Sequence, residues 1–284
     1  MIANKSIFSN SDWQKQAAGK FLVYRGKFLN ENLNLGAVRR YVREQGALGA
    51  LWTYDYGLTQ CGPWYRCICS TPDYDIGKIE NKKGRYYVRR GLQRCSVQPV
   101  SYEWLSNNGY DVYLNACVRY TNFTPSSPEN FRKAMIDNSR EPGREALGVF
   151  TDNKLAAYAT LQISGDTVRI YGSQFDPAYS QSYPMYALYY TIAHHYLKER
   201  HCKEIDNGCR ALLHDTQIEV FLQRLGWRKD YCRLGLYLRP SVRAVLFVAW
   251  LFRKPLRWLL PSRFYVILQS LLDAEDIAKA TKEG

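Results

Sequence analysis

Apolar and polar positions alternate most regularly between residues 146 and 173. Three β-like runs, 146–151, 155–163 and 167–173, are separated by the turn sequences Asp152-Asn153 and Ser164-Gly165-Asp166. Because turns this short can join only antiparallel neighbours, the pattern predicts an antiparallel meander.

The hydrophobic period then changes from two residues to about 3.6. Ser182 and Pro184 open an amphipathic helix that is predicted to run to Arg200. A strand at 203–206, a helix at 215–224 and a strand at 231–238 complete the order. Three strands followed by helix, strand, helix and strand predict an α/β (α+β) fold with a mixed sheet and flanking helices.

The preceding part of the chain shows a mixed pattern. Strands are predicted at 20–26, 47–55, 64–69 and 96–100, and helices at 37–44, 111–119 and 129–138. A basic helix is predicted at 78–94, interrupted by Gly84 and ended near Gly91.

The segment after Pro240 has a different composition. Residues 244–252 are apolar without interruption, but a bilayer-spanning helix needs about 20 such residues, and Pro255 and Pro261 follow. The aromatic and basic side chains of 240–264 are typical of a helix lying on an anionic membrane surface. A helical hairpin folded back over the first half is the alternative.

The formal net charge of +13 is unevenly distributed. Residues 78–94 hold seven cations and one acid, and residues 239–263 hold six cations and no acid, so each segment contributes +6. Two local basic surfaces are therefore predicted, rather than a protein that coats nucleic acid along its whole length.

The eight cysteines are scattered, and polar residues interrupt every apolar run in the first 18 residues. This pattern favours free thiols in a reducing cytoplasm. Cys67 and Cys69 form a Cys-x-Cys pair without a second pair at zinc-ligand spacing, so no metal is predicted.

Three short motifs support a family resemblance. The sequence IDNG at 205–208, FLQRLGW at 221–227 and KKGRYYVRRGL at 82–92, with the element order above, resemble GNAT-fold acyltransferases, and more specifically the bacterial Fem-type branch. In that branch two GNAT-like domains stand in tandem and the first is degenerate. The resemblance covers about residues 20–238 and implies a degenerate half at 1–109, an acyltransferase domain at 110–239 and an amphipathic helical tail at 240–284.

The sequence departs from the GNAT pattern in two places. Ser180-Gln181-Ser182-Tyr183-Pro184 replaces the glycine-rich loop that holds the coenzyme A pyrophosphate, and Pro184 has no N–H to donate. Leu222 stands where many GNAT enzymes have a tyrosine that protonates the leaving thiolate. The resemblance still implies an acyl-CoA site near Phe175, Ser180 and Ser182.

Candidate catalytic residues lie at the end of the strand predicted at 203–206 and beyond it. Asp206 is placed to accept a proton from the attacking amine, or to cap the turn with Asn207 and Gly208. His214 has an imidazole whose ordinary pKa suits the same work, and Tyr231 is a possible substitute acid. Cys209 and Arg210 are expected near the acceptor, although a small buried thiol is the alternative for Cys209.

The basic helix is a candidate phosphate site. Its arginines Arg85, Arg89 and Arg90 are interleaved with Tyr86 and Tyr87, which suits phosphates attached to a stacking ring. The alternative is an ordinary solvated helix face.

Three functions remain open. The first is transfer of an acyl group from acyl-CoA or acyl carrier protein to an amine of a sugar, peptide or lipid-linked envelope precursor. The second is Fem-like aminoacyl transfer with aminoacyl-tRNA as donor, which the absence of a long charged heptad insertion disfavours. The third is a non-catalytic anion-binding or membrane-docking scaffold on the same fold. The expected location is cytoplasmic, with peripheral attachment to the inner face of the membrane if the tail binds lipid.

Overall fold

A computed structural model describes residues 8, 12–16, 20–60, 62–118, 124–210, 212, 217–252 and 260–283. The fold is mixed α/β, as the sequence predicts, with parallel and antiparallel strand pairs and flanking helices. The chain divides into two compact units. Unit 1 comprises Met1–Arg66, Cys209–Thr216 and Asp230–Gly284, and unit 2 comprises Cys67–Gly208 and Gln217–Lys229.

Unit 1 is built on strands from both ends of the chain. β1 (Trp13–Gln16) pairs antiparallel with β2 (Phe21–Tyr24), β2 pairs parallel with β3 (Gly49–Leu58), and β3 pairs antiparallel with β10 (Arg228–Leu238). Helix α1 (Leu35–Glu44) begins at an Asn34 cap and contributes buried Val38 and Val42 to a cluster with Trp52. Two C-terminal helices, α8 (Pro240–Leu251) and α9 (Ser262–Glu283), also belong to this unit.

Unit 2 contains the predicted meander. β5 (Ser96–Pro99), β6 (Arg144–Thr151), β7 (Lys154–Ser164) and β8 (Thr167–Phe175) pair antiparallel in that order, and β8 pairs parallel with β9 (Glu204–Cys209). β4 (Tyr65–Cys69) contains the boundary between the units. The parallel β8–β9 pair requires a crossover connection, which helix α6 (Pro184–Ala193) supplies.

Helices cover the two faces of the unit 2 sheet. Tyr158 of β7 packs with α3 (Tyr102–Asn108), α4 (Tyr110–Cys117) and α5 (Pro128–Ser139). Neighbouring strand residues point to the opposite face, and α6 contacts β6 and β7. Two short helices, α2 (Lys82–Arg94) and α7 (Ile218–Arg224), complete the unit.

Several boundaries differ from those that the sequence predicts. The basic helix is one continuous segment, Lys82–Arg94, because Gly84 and Gly91 lie inside it as packing positions rather than as breaks. The α6 helix ends at Ala193 and continues as one π-helical turn, His194–Glu199. Strand β1 and helix α3 were not predicted. The division at residues 109 and 239 into tandem halves stays a prediction.

Candidate active site

A fork between two parallel strands defines the candidate site in unit 2. The parallel pairing of β8 and β9 runs from Thr167↔Glu204 to Arg169↔Asp206. β8 continues to Phe175, still paired with β7 through Ala157, while β9 continues to Cys209. The two strands therefore stop pairing with each other after Arg169 and Asp206, while β8 stays paired with β7.

Tyr189 of α6 spans this fork. Its hydroxyl group donates to Asn207 Oδ1 at 2.7 Å and lies 3.0 Å from Ser173 Oγ. Because the single tyrosine proton goes to Asn207, the serine hydroxyl must be the donor in the second contact. Ser173, Tyr189 and Asn207 therefore form one hydrogen-bonded chain from β8 through α6 to β9.

Rings fix the position of the Tyr189 side chain. Tyr189 is 1% exposed and makes edge contacts with Phe221 of α7 at 5.2 Å and with Trp227 at 5.7 Å. Burial of the aromatic ring and satisfaction of its hydroxyl group together hold the bridge rigid.

Asp206 is opposite Arg169 in the last residue pair between β8 and β9. It is 2% exposed, its Oδ2 accepts from Arg169 Nε at 3.1 Å, and its Oδ1 accepts from the Gly208 N–H at 2.8 Å. Gly208 has φ +84°, a left-handed conformation that glycine adopts without strain. The turn-capping contact considered from the sequence is thus present, and a buried ion pair accompanies it. A role for Asp206 in proton transfer stays a prediction.

The N-terminus of α6 follows β8 through a compact loop. Asp176 caps a 3₁₀ helix at Pro177–Ser182, and Tyr183 then takes the left-handed conformation at φ 56° before Pro184 starts the helix. The Tyr183 carbonyl oxygen accepts from the Tyr186 and Ala187 N–H groups. Few first-turn donors are therefore left for an anion, in contrast to a glycine-rich phosphate loop.

Of the three residues expected at the donor site, Ser180 is exposed, whereas Ser182 and Phe175 are half-buried. The Ser182 carbonyl oxygen accepts from Cys95 Sγ at 3.3 Å. Burial raises the pKa of the Cys95 thiol, so this group stays protonated and donates. No finding assigns a ligand to Ser180, Ser182 or Phe175.

The basic helix α2 packs against this loop. Gly84, Val88 and Gly91 recur at helical spacing and form its buried face. A Cβ atom at Gly91 would lie 2.8 Å from the Tyr183 carbonyl oxygen, and the Tyr87 ring stacks on the Tyr183 ring at 5.0 Å. Arg94 Nη1 donates to the Gln181 carbonyl oxygen at 2.6 Å. The structure thus brings the two predicted anion-binding segments together.

The three arginines proposed to bind phosphate differ in their surroundings. Arg85 Nη1 donates to the carbonyl oxygens of Ile79 at 2.6 Å and Glu80 at 3.0 Å. Its guanidinium group therefore already bonds to the backbone that precedes α2. Arg90 lies beside Tyr86, and its hydrogen bond lowers the pKa of the Tyr86 hydroxyl group. Arg89 is exposed and has no recorded partner among the described residues.

The remaining predicted site residues lie in unit 1 or outside the described residues. Cys209 Sγ lies 3.4 Å from Thr53 Oγ1, and its thiol raises the pKa of the buried Cys232 thiol through a hydrogen bond. Arg210 is exposed, donates to the Pro63 carbonyl oxygen at 3.0 Å and lines a cavity of about 250 Å³. Tyr231 packs edge-on against Tyr65 at 6.0 Å. His214 is not among the described residues.

Within the described ranges, no cluster of three His, Cys, Asp or Glu side chains is arranged to hold a metal ion. Seven cysteines in the same ranges are free thiols. Leu222, which the resemblance aligns with the GNAT tyrosine, is fully buried in α7.

Sequence reasoning missed Ser173, Tyr189 and Asn207 as a unit. Tyr189 stands on the apolar stripe of the predicted helix, where a tyrosine is indistinguishable from a core residue. The available signal was the hydroxyl group of Tyr189 itself, because a polar group on the buried face of a helix must find hydrogen-bond partners.

Comparison with solved structures identifies the fold. The chain is similar to FemX, with 11% identity, 82% of this chain and 85% of that chain covered, and a TM-score of 0.52. It is also similar to L-PGS from Bacillus licheniformis, with 10% identity, 92% of this chain and 85% of that chain covered, and a TM-score of 0.48. For the PaiA N-acetyltransferase from Thermoplasma acidophilum in complex with coenzyme A, the identity is 15%, the match covers 38% of this chain and 74% of that chain, and the TM-score is 0.31. Neither the protein-family models nor the curated proteins include a match. The chain therefore has a Fem-like GNAT fold.

Proposed function

We propose that this protein is an N-acyltransferase that moves an acyl group from acyl-CoA or acyl carrier protein to an amine of a sugar, peptide or lipid-linked envelope precursor. The observation that carries the proposal is the β8–β9 fork bridged by Tyr189. A fork of this kind offers a carbonyl group polar donors on one side and an approach for the amine on the other.

The hydrogen-bonded chain gives Asn207 a defined role in this proposal. Its Oδ1 accepts the Tyr189 proton, and its Nδ2 has no recorded partner among the described residues. Because Asn207 is half-buried at the fork, Nδ2 is available to donate to the oxygen that becomes negative as the amine attacks the carbonyl carbon. Tyr189 and Ser173 then act as positioning residues that fix the amide orientation.

The attacking amine must lose a proton, and the leaving group must gain one. Asp206, His214 and Tyr231 are the candidates that the sequence supplies for these transfers. Both carboxylate oxygens of Asp206 already have partners, so it would act only if Arg169 or Gly208 released one of them during the reaction.

The donor's phosphates are proposed to bind where α2 meets the 176–183 loop. The exposed cations of this helix are Lys82, Lys83, Arg89 and Arg94. Tyr86 is 50% exposed beside Arg90 and could stack on a donor base. Ser180 and Ser182 would add hydroxyl groups at the adjacent loop.

One observation favours aminoacyl-tRNA as an alternative donor. Pro184 lacks an N–H, and the Tyr186 and Ala187 N–H groups bond to Tyr183, so the α6 N-terminus offers a pyrophosphate few backbone donors. Four exposed cations spread along α2 suit an extended phosphate backbone better than a single pyrophosphate.

Mass spectrometry of copurified ligands, followed by single-turnover transfer from acetyl-CoA, acyl carrier protein and aminoacyl-tRNA to amine acceptors, tests the proposal. Bound coenzyme A and transfer from it would support the first donor, and transfer from the tRNA alone would support the second. Binding of either donor without transfer to any acceptor would contradict the enzyme proposal and leave an anion-binding scaffold.

Asn207→Ala is the variant that tests the site. Loss of one oxyanion donor should lower the single-turnover rate by roughly 10²- to 10³-fold with little change in donor affinity. Asn108→Ala is the matched control, because Asn108 is exposed in α3 and its amide donates to the Trp104 carbonyl oxygen. Equal rates for both variants would remove Asn207 from the mechanism.

A further inference from the structure

Helix α8 exposes an unusual amount of apolar surface. Residues 244–252 contain no polar side chain, and six of them are large and exposed: Val245, Phe247, Val248, Trp250, Leu251 and Phe252, with exposed fractions between 50% and 65%. A helix that is apolar on all sides is ordinarily buried on all sides. This one is buried on one side only.

The buried side of α8 is a structural contact within unit 1. Leu246 is 2% exposed and Ala249 is 5% exposed, and Leu246 packs in a cluster with Leu234, Leu272 and Ile277. Buried residues of α8 and α9 therefore form part of the core of unit 1. The exposed side chains cannot reach that core, because the face that touches it is already occupied.

Helix α9 adds to the same surface near its start. Phe264 is 61% exposed and Ile267 is 39% exposed, and α8 contacts α9. The six exposed side chains of 245–252, with Phe264 and Ile267, are here called the apolar tail surface. It includes eight of the large hydrophobic side chains that are exposed in the described residues.

The charge of the sequence segment that contains this surface favours one kind of partner. Between Arg239 and Leu272 the sequence has six cations and no acid, and Arg243, in the first turn of α8, is exposed. Two copies of the chain meeting through this surface would bring like charges together. A membrane with anionic headgroups supplies the opposite charge and an apolar layer for the phenylalanine and tryptophan rings.

We infer that the apolar tail surface docks the protein onto the surface of an anionic lipid bilayer, with α8 lying in the interface. None of the helices in the described ranges has the length and apolar character of a membrane span. This inference is independent of the transfer reaction, since no residue of the β8–β9 fork takes part in it.

Truncation of the tail is an unsuitable test because α8 and α9 contribute buried residues to the core of unit 1. The double variant Phe247→Ser/Trp250→Ser changes only side chains that are 62% and 50% exposed. Its matched control is Leu35→Ser/Val118→Ser, which replaces side chains that are 48% and 80% exposed elsewhere. Thermal melting of each variant establishes that it is folded.

Co-sedimentation with phosphatidylglycerol and phosphatidylcholine vesicles then measures docking by the full chain. We expect binding to the anionic vesicles only, a loss of about tenfold or more in partitioning for the tail double variant, and little change for its control. Arg243→Gln should weaken partitioning about fivefold, while Arg39→Gln, an exposed arginine of α1, should not.

Three outcomes would overturn the inference. The intact protein could ignore phosphatidylglycerol vesicles, or it could bind phosphatidylcholine equally well, which would remove charge as the reason for the partner. It could also be a dimer in light scattering that the tail double variant dissociates, which would assign the surface to a second copy.

Discussion

Because Asp206 forms an ion pair with Arg169, even the conservative substitution Asp206→Asn is expected to lower the stability of the protein. Asn could keep the turn contact with the Gly208 N–H, but it removes the charge that partners Arg169, whose side chain is 18% exposed. The substitution also replaces a charge-assisted hydrogen bond to Arg169 Nε with a weaker one, in a mostly buried place. We expect Asp206→Asn to lower the free energy of unfolding by about 1–3 kcal/mol in denaturant titration.

The single-turnover rate per folded molecule of Asp206→Asn tests whether Asp206 takes part in proton transfer. A fall of roughly 10²- to 10⁴-fold would assign the proton transfer to Asp206, and a rate within a few-fold of the parent would pass that role to His214. Asp166→Asn is the control, since it breaks an exposed pair with Lys203 at 2.6 Å and should change stability much less. Equal destabilisation by both substitutions would contradict the structural role of the buried pair.

At the scale of secondary structure, the two glycines of α2 set how closely that helix approaches its neighbours. A Cβ atom at Gly84 would lie 2.1 Å from the Arg224 carbonyl oxygen, a backbone atom that cannot rotate away. Alanine raises helix propensity by about 1 kcal/mol, but the clash must displace α2. We expect Gly84→Ala to destabilise the protein by about 1–3 kcal/mol, measured by chemical denaturation.

Gln93→Ala provides the control for helix propensity, because Gln93 is exposed on the same helix. It should leave stability unchanged or slightly higher. If Gly84→Ala were also stabilising, α2 would not be in close contact at that position, and its place beside the 176–183 loop would lose support.

These elements also show what the sequence could and could not reveal. The β6–β8 meander was predictable because Asp152, Asn153 and Gly165 all have positive φ, which these residue types tolerate at turns. Gly84 and Gly91 were misread as helix breaks because the same absence of a side chain also permits close packing, which only the tertiary structure reveals. The Tyr189 bridge could not be predicted from the sequence, because it depends on contacts between three separate elements.

At the scale of the whole molecule, the net charge of +13 attracts any anion. Weaker donor binding by a variant that lacks one positive charge would therefore not by itself locate a binding site. The comparison must hold total charge constant while the position varies. Arg89 on α2 and Arg40 on α1 are both exposed and allow this comparison. Replacement of either by glutamine removes one positive charge.

Arg89→Gln should weaken donor binding about tenfold, because a charge-assisted hydrogen bond to phosphate is lost, while Arg40→Gln should weaken it about twofold or less. Titration at several salt concentrations separates the two donor classes. With aminoacyl-tRNA, loss of one phosphate contact should reduce the slope of log K against log salt by about one unit, whereas coenzyme A has too few phosphates to give a steep slope. If the two variants weaken binding equally, the attraction is a property of the total charge, and α2 is then an ordinary solvated helix face.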